Sequence, residues 1–268
     1  MKMITSADNP QIRQIIRLNT KARARREAGC FAAEGVRIFR ETPEALRRQV
    51  YVSETFAAEH PDMLADIPAE VVDDRLFSKI CDTQTPQGIL TLCDMPGYTE
   101  DQLLGSGDRQ PLIVILEDLQ DPGNVGTILR TAEGAGVTGV ILGGHTADIF
   151  QPKVIRSTMG SVFRVPFRRE KDLEQTLEWL HARGICSYAA HLSGSVPYTD
   201  GDYRGGTAFL IGNEGNGLSE SLTAMARQRV RIPMEGQVES LNAAVSASIL
   251  MYEARRQRFS NVIQRVTG

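Results

Sequence analysis

Leu112-Ile-Val-Ile-Leu116 runs directly into Glu117-Asp-Leu-Gln-Asp-Pro-Gly-Asn-Val-Gly126, and a helical stretch from Asn124 to Glu133 follows. A continuous apolar run, with no polar residue on alternate positions, is the pattern of a strand buried on both faces of a helix-covered sheet. The same alternation continues downstream. Gly139-Val-Ile-Leu142, Val162-Phe-Arg-Val165, Ile185 to Ala190 and Ala208-Phe-Leu-Ile211 read as strands, and Val230-Arg-Ile-Pro233 ends another. Pro152 to Met159 and Leu241 to Phe259 read as helices, as does Leu173 to Ala182 with Leu173, Leu177 and Leu180 on one face. Residues 111–268 are therefore expected to form a mostly parallel, doubly wound α/β sheet with ligands at the C-terminal ends of its strands.

Upstream, Phe31-Ala-Ala-Glu34, Val50 to Ser53, Ala69 to Val72 and Gly88 to Cys93 read as short strands, with helices over Val36 to Leu46 and Leu76 to Ile80. These predict a small α/β domain over residues 1–95. Residues 96–110, polar and containing Gly, Ser and Pro, are expected to be a linker. No internal repeat is present.

Composition excludes several classes. The chain has 268 residues, 41% hydrophobic and 24% charged, an ordinary globular balance. No run reaches the roughly 18 apolar residues of a membrane helix, and the N-terminal stretch lacks the apolar core of a secretory signal. Four isolated cysteines, Cys30, Cys81, Cys93 and Cys186, form no CxxC pair. A reducing, cytoplasmic location is therefore expected, with no disulfide framework or zinc ribbon.

The net charge of −3 is unevenly spread. Residues 1–50 carry 11 Lys/Arg against 5 Asp/Glu, residues 51–110 carry 3 against 12, and the remainder balances at 16 of each. Arg13, Arg17, Lys21, Arg23, Arg25 and Arg26 precede any acid after Asp8, interleaved with Ile12, Ile15, Ile16 and Leu18. This predicts an amphipathic basic helix and a basic turn, a phosphate-contacting arm built from Arg17, Lys21, Arg23 and Arg25. A helix docked by its isoleucines with a merely solvated basic face has the same pattern.

Gly134-Ala-Gly136-Val-Thr-Gly139 matches GxGxxG but follows a helix and precedes a strand, the reverse of a dinucleotide fingerprint. A helix C-cap and turn is expected instead. His60, His145, His181 and His191 have no metal-ligand spacing, and no P-loop, HExxH or GxSxG occurs. Three loops stand out, each after an expected strand end: 117–126 with Arg130 in the following helix, Ile211-Gly-Asn-Glu-Gly-Asn-Gly217, and Ile232-Pro-Met234 to Ser240-Leu-Asn242. Singly they are architecture; together at one sheet edge they suggest a site.

These loops resemble, in order, the three signature motifs of the SpoU (TrmH-type) RNA ribose 2′-O-methyltransferases: Asn124-Val-Gly126-Thr-Ile-Leu-Arg130, Ile211-Gly-Asn-Glu214-Gly-Asn-Gly217-Leu, and Ile232-Pro-Met through Ser240-Leu-Asn242-Ala-Ala-Val. Residues 1–95 resemble the family's substrate-binding domain through Asn9-Pro10, Phe31 to Gly35 and Thr85-Pro-Gln-Gly-Ile89. The resemblance implies a deep C-terminal trefoil knot, a homodimer, S-adenosylmethionine (AdoMet) as methyl donor and no metal. It implies AdoMet contacts at Gly212, Ile232 and Leu241, with Ile211 and Met234 beside them. It assigns Arg130 to the ribose or its phosphate, and Asn124, Glu214, Ser240 and Asn242 to the nucleotide or to holding Arg130. A guanidinium is effectively always charged, so Arg130 suits alkoxide or phosphate stabilisation better than proton abstraction. Ribosomal RNA is the substrate the two-domain layout implies. A transfer RNA methyltransferase and a non-catalytic RNA- or ribosome-binding protein are the alternatives.

Overall fold

The computed structural model describes residues 3–266 except 106, 108 and 193–195. The first part of the chain forms helices α1 (Pro10–Thr20) and α2 (Ala22–Ala28), strand β1 (Cys30–Glu34), helix α3 (Val36–Glu41) and strand β2 (Arg47–Ser53). Helices α4 (Glu54–Glu59) and α5 (Pro61–Leu64), strand β3 (Ala69–Val72), helix α6 (Asp74–Ile80) and strand β4 (Ile89–Asp94) follow. Then come α7 (Glu100–Leu104), β5 (Leu112–Leu116), α8 (Pro122–Ala135), β6 (Gly139–Leu142), α9 (Pro152–Thr158) and β7 (Phe167–Arg169). The chain ends with α10 (Leu173–His181), β8 (Cys186–Ala190), β9 (Val196–Pro197), β10 (Thr207–Ile211), α11 (Glu220–Met225), β11 (Gln228–Arg231) and α12 (Ala243–Val266). No helix among the described residues is long and apolar enough to cross a membrane.

Two compact units result: Met1–Gly97 with Asp148–Phe163, and Tyr98–Ala147 with Arg164–Gly268. The first unit has a mixed sheet in the order β1-β4-β2-β3, with only β2 and β3 parallel. Asn9 caps α1 by accepting from the Gln11 N–H, and Pro10 starts the helix, where its missing N–H costs nothing. Ile12, Ile15 and Leu18 bury one face of α1 in the core, leaving Arg13, Arg17 and Ile16 exposed. The expected basic turn is a second helix, α2, closed by Gly29 at φ 61°. The expected helix over 36–46 stops at Glu41, because Pro43 cannot continue it.

Segment 148–163 groups with the first unit for a visible reason. The Arg25 side chain, 4% exposed, donates to the Asp148 carboxylate at 2.6 and 2.9 Å and to the Leu18 carbonyl. The Phe150 ring lies 4.9 Å from that of Phe31. Arg25 is thus a buried structural cation, which corrects its expected place on the phosphate-contacting face. Asp148→Ala leaves this cation buried and uncompensated. Because Asp148 is 25% exposed, we expect destabilisation at the low end of roughly 3–5 kcal/mol, read by urea denaturation.

The second unit holds an all-parallel sheet in the order β7-β6-β5-β10-β8-β11-β9. Every residue of β5, β6 and β10 is buried, the consequence of their continuous apolar runs. Gly136 at φ 78° is the C-cap of α8, as its sequence predicts, so the GxGxxG match is a turn. Part of the expected linker is α7, fixed by a Thr99/Gln102 capping box and by buried Leu103. The strand expected at Val162 lies later, at Phe167–Arg169, since residues 161–163 form a 3-10 turn after Gly160 at φ 98°. Helix α12 packs on α8 and β10. Arg258 anchors it by donating to the carbonyls of Tyr203, Gln110, Pro111 and Gly205. Burial, aided by nearby Arg109, lowers that guanidinium to about 10, still charged at neutral pH.

Candidate active site

The parallel pairing of β5 with β10, β10 with β8, and β8 with β11 brings three loops to one sheet edge. The first, 117–121, is fastened on both sides. The Glu117 carboxylate accepts from the Ser219 N–H at 2.7 Å, and Asn213 Nδ2 donates to the Asp118 carbonyl at 2.8 Å. Asp118 holds a left-handed φ of 52°, a costly conformation outside glycine. Asp121 then caps α8 by accepting from the Asn124 N–H.

The second loop, 212–218, is closed by reciprocal Asn213–Gly217 backbone bonds of 3.0 and 2.9 Å. Asn213 Oδ1 accepts from the Gly215 and Asn216 N–H groups inside it. A Cβ on Gly212 would lie 2.2 Å from the Gly217 carbonyl carbon and the Leu218 nitrogen. Only glycine permits that approach.

One hydrogen-bond chain links all three loops. Glu214 accepts from the Gln120 N–H at 3.2 Å, the Asp121 N–H at 3.1 Å and Asn124 Nδ2 at 3.0 Å. Asn242 Nδ2 donates to Asn124 Oδ1 at 2.9 Å, while Asn242 Oδ1 accepts from the Ala244 and Val245 N–H groups and so caps α12. Burial works to raise the Glu214 pKa, but the hydrogen bonds from Asn124, Asp121 and Gln120 outweigh it and hold it below the usual range. A depressed carboxylate keeps its stabilising effect above its unfolded value near 4.3 and loses it as pH falls through the lower folded value. Glu214 should therefore give no acid limb in a pH–rate profile above about pH 5. Glu214→Gln replaces an accepting oxygen with a donor. Since Glu214 is exposed and screened, we expect at most about a tenfold fall in kcat/KM, measured by steady-state kinetics.

Arg130 lies exposed on α8 with no ion-pair or hydrogen-bond partner among the described residues. The chain thus gathers Asn124, Glu214 and Asn242 but leaves Arg130 free. Ser240 is also exposed, with no hydrogen bond to other described residues. Ile211 is buried, and Gly212, Ile232, Met234 and Leu241 are half-buried. The backbone groups of Ile232 to Leu241 make no hydrogen bond to other described residues, a third loop able to present N–H and C=O groups to a ligand. Sequence reading gave no role to Glu117 and Asn213, the fasteners of the first two loops. An acid directly after a buried strand was the available signal. Among the described residues no cluster of three or more His, Cys, Asp or Glu could hold a metal ion.

Residues 111–252 match the SpoU rRNA Methylase family and residues 9–91 the MRM3-like substrate binding domain. The chain belongs to the SpoU rRNA methylase family. It is 34% identical over 259 residues to the 23S rRNA (guanosine(2553)-2′-O)-methyltransferase RlmP of Bacillus subtilis, covering 95% of this chain and 100% of the relative. The crystal structure of the SpoU methyltransferase AviRb from Streptomyces viridochromogenes in complex with AdoMet superposes with a TM-score of 0.81 at 30% identity, covering 94% of this chain and 100% of that one. The AdoMet-bound rRNA methyltransferase from Sinorhizobium meliloti also gives 0.81, at 32% identity, covering 95% and 97%.

Proposed function

We propose that the protein transfers a methyl group from AdoMet to a ribose 2′-hydroxyl of ribosomal RNA. The observation carrying this reading is the hydrogen-bond chain Glu214–Asn124–Asn242, which ties all three motif loops into one site at the start of the helix that carries Arg130. The loops 212–218 and 232–242 fit an adenosyl group: their half-buried apolar residues offer a surface, and the unbonded backbone of the third offers donors and acceptors. Gly212, Ile232 and Leu241 would hold it, with Ile211 and Met234 alongside. Bound AdoMet supplies an activated methyl whose sulfonium leaves as a neutral thioether, so no metal is required.

The chain's own work is alignment and charge. Arg130, permanently cationic and without a partner among the described residues, holds the ribose oxygen or its phosphate as negative charge develops on the 2′-oxygen, and an oxygen of that phosphate takes the 2′-hydroxyl proton. Asn124 and Asn242, each locked by its neighbours, keep the substrate side of the loops in place. Glu214 positions Asn124 rather than touching the reacting atoms. Ser240 has a free hydroxyl for the nucleotide.

Arg17, Lys21 and Arg23, all exposed in the first unit, form the RNA face, while Arg25 shapes it from beneath. We place the enzyme with ribosomes in the cytoplasm, in keeping with its free cysteines. The family's trefoil knot is part of this proposal.

The proposal includes the family's homodimer. On α12, Val245, Tyr252 and Phe259 are exposed and Ile249 half-buried in one stripe, while Leu250 is fully buried in its own core. Ile249→Asp should give a folded monomer by sedimentation velocity, with transfer reduced. Leu250→Asp should instead unfold the protein, because an unpaired buried charge is costly. The functional test is label transfer from methyl-tritiated AdoMet to protein-free ribosomal RNA. Incorporation supports the proposal; AdoMet binding with no incorporation into ribosomal RNA, free or in ribosomal particles, would contradict it.

A further inference from the structure

We propose that the groove between α1 and α2 holds one unpaired nucleotide of the RNA substrate, with its base on the groove floor and its phosphate on Arg13 and Arg17. This rests on the reading of the first unit as RNA-binding and names the place and the RNA feature it takes.

The groove, about 550 Å3, lies within the roughly 300–1,000 Å3 of small-ligand sites. Its cause is local. The sequence of α2, Ala22-Arg-Ala-Arg-Arg-Glu-Ala28, sets Ala24 and Ala28 one turn apart on the side lining the groove. Large aliphatic residues there would close it against α1. Pro10, Leu18, Ala24 and Ala28 give the groove its apolar lining. Exposed Arg13 and Arg17 flank it, and Gln14 adds an amide, a group that hydrogen-bonds to base edges, while the Glu27 carboxylate is held by Arg23 at 2.6 Å.

Charge selects the occupant. The lining lies in the block where basic residues outnumber acids 11 to 5, and Arg17, Lys21 and Arg26 are exposed without partners among the described residues. Arg13 is bound only to exposed Asp8, a contact a phosphate displaces at little cost. RNA is read mostly where bases are unpaired and splayed out, and an Arg plane can stack on such a base. Buried Arg25, paired with half-buried Asp148 and also donating to the Leu18 carbonyl, fixes the α1–α2 elbow, so the groove is preorganised.

The test uses the full chain, protein-free ribosomal RNA and AdoMet. Gln14→Glu places a negative charge in the groove; Ile16→Glu places the same charge on the same helix outside its lining. Both sites are exposed, so both variants should fold. The expected result is about tenfold weaker RNA binding for Gln14→Glu, at most twofold for Ile16→Glu, and unchanged AdoMet affinity. Ala24→Leu, which fills the groove without altering charge, should weaken RNA binding similarly and leave the salt dependence unchanged. A mixed-sequence single-stranded oligoribonucleotide should compete with wild type better than its duplex. Equal losses from the two glutamates, or wild-type affinity of Ala24→Leu, would overturn the groove assignment. The underlying RNA reading fails separately: Arg17→Gln with Lys21→Gln would then leave the salt slope unchanged, instead of lowering it by about 0.7–0.9 per lost phosphate contact.

Discussion

Arg130→Ala should lower kcat for methyl transfer by roughly 100–1,000-fold, the loss that follows removal of one preorganised charge-stabilising donor. AdoMet affinity should change little, because Arg130 projects from α8 and takes no part in the loops 212–218 and 232–242. Stability should also be nearly unchanged, since the side chain is exposed and no described residue depends on it. The split matters more than the size. A lost kcat with intact AdoMet binding, measured by calorimetry and single-turnover transfer, places Arg130 at the reacting oxygen. A parallel loss of AdoMet affinity would move it to the donor site. Arg130→Lys should recover only part of the rate, because an ammonium cannot reproduce the planar fork of a guanidinium.

The second large effect is expected from Gly212→Ala. The added methyl meets backbone at 2.2 Å, and backbone cannot swing aside as a flexible side chain would. Loop 212–218 must therefore shift, taking the Asn213–Gly217 bonds and the Glu214 clasp with it. AdoMet binding should fall at least about 100-fold, near 2.8 kcal/mol at about 1.4 kcal/mol per tenfold. Gly215→Ala is the control: its Cβ meets only the Asn213 side-chain oxygen, at 3.5 Å, so near-normal binding is expected. Equal effects from both substitutions would refute the close-approach argument.

The main architecture was legible in the sequence because it rests on burial. Leu112–Leu116 and Ala208–Ile211 are apolar throughout since both faces of each strand are covered, and that leaves a continuous run. Loop order could be read as well, because motif residues follow strand ends. Misplaced elements share another cause. Val162 is buried and β-branched yet lies in a 3-10 turn, since Gly160 and Pro166 redirect the chain around it. Arg25 looks like its basic neighbours in sequence; only tertiary pairing with Asp148, far along the chain, makes it a core residue. The same limit holds at the site. Asn124, Glu214 and Asn242 are recognisable as motif members, but their hydrogen-bond chain spans three distant loops, and no local pattern encodes it. Leu250 and Ile249 are adjacent and both apolar, and only helix packing separates the core residue from the half-buried one.

The most direct test of the account is nucleoside mass spectrometry of ribosomal RNA treated with enzyme and AdoMet, wild type beside Arg130→Ala. The wild type should yield a new 2′-O-methylribonucleoside and the variant almost none. A methyl group on a base, or equal ribose methylation by both proteins, would contradict it.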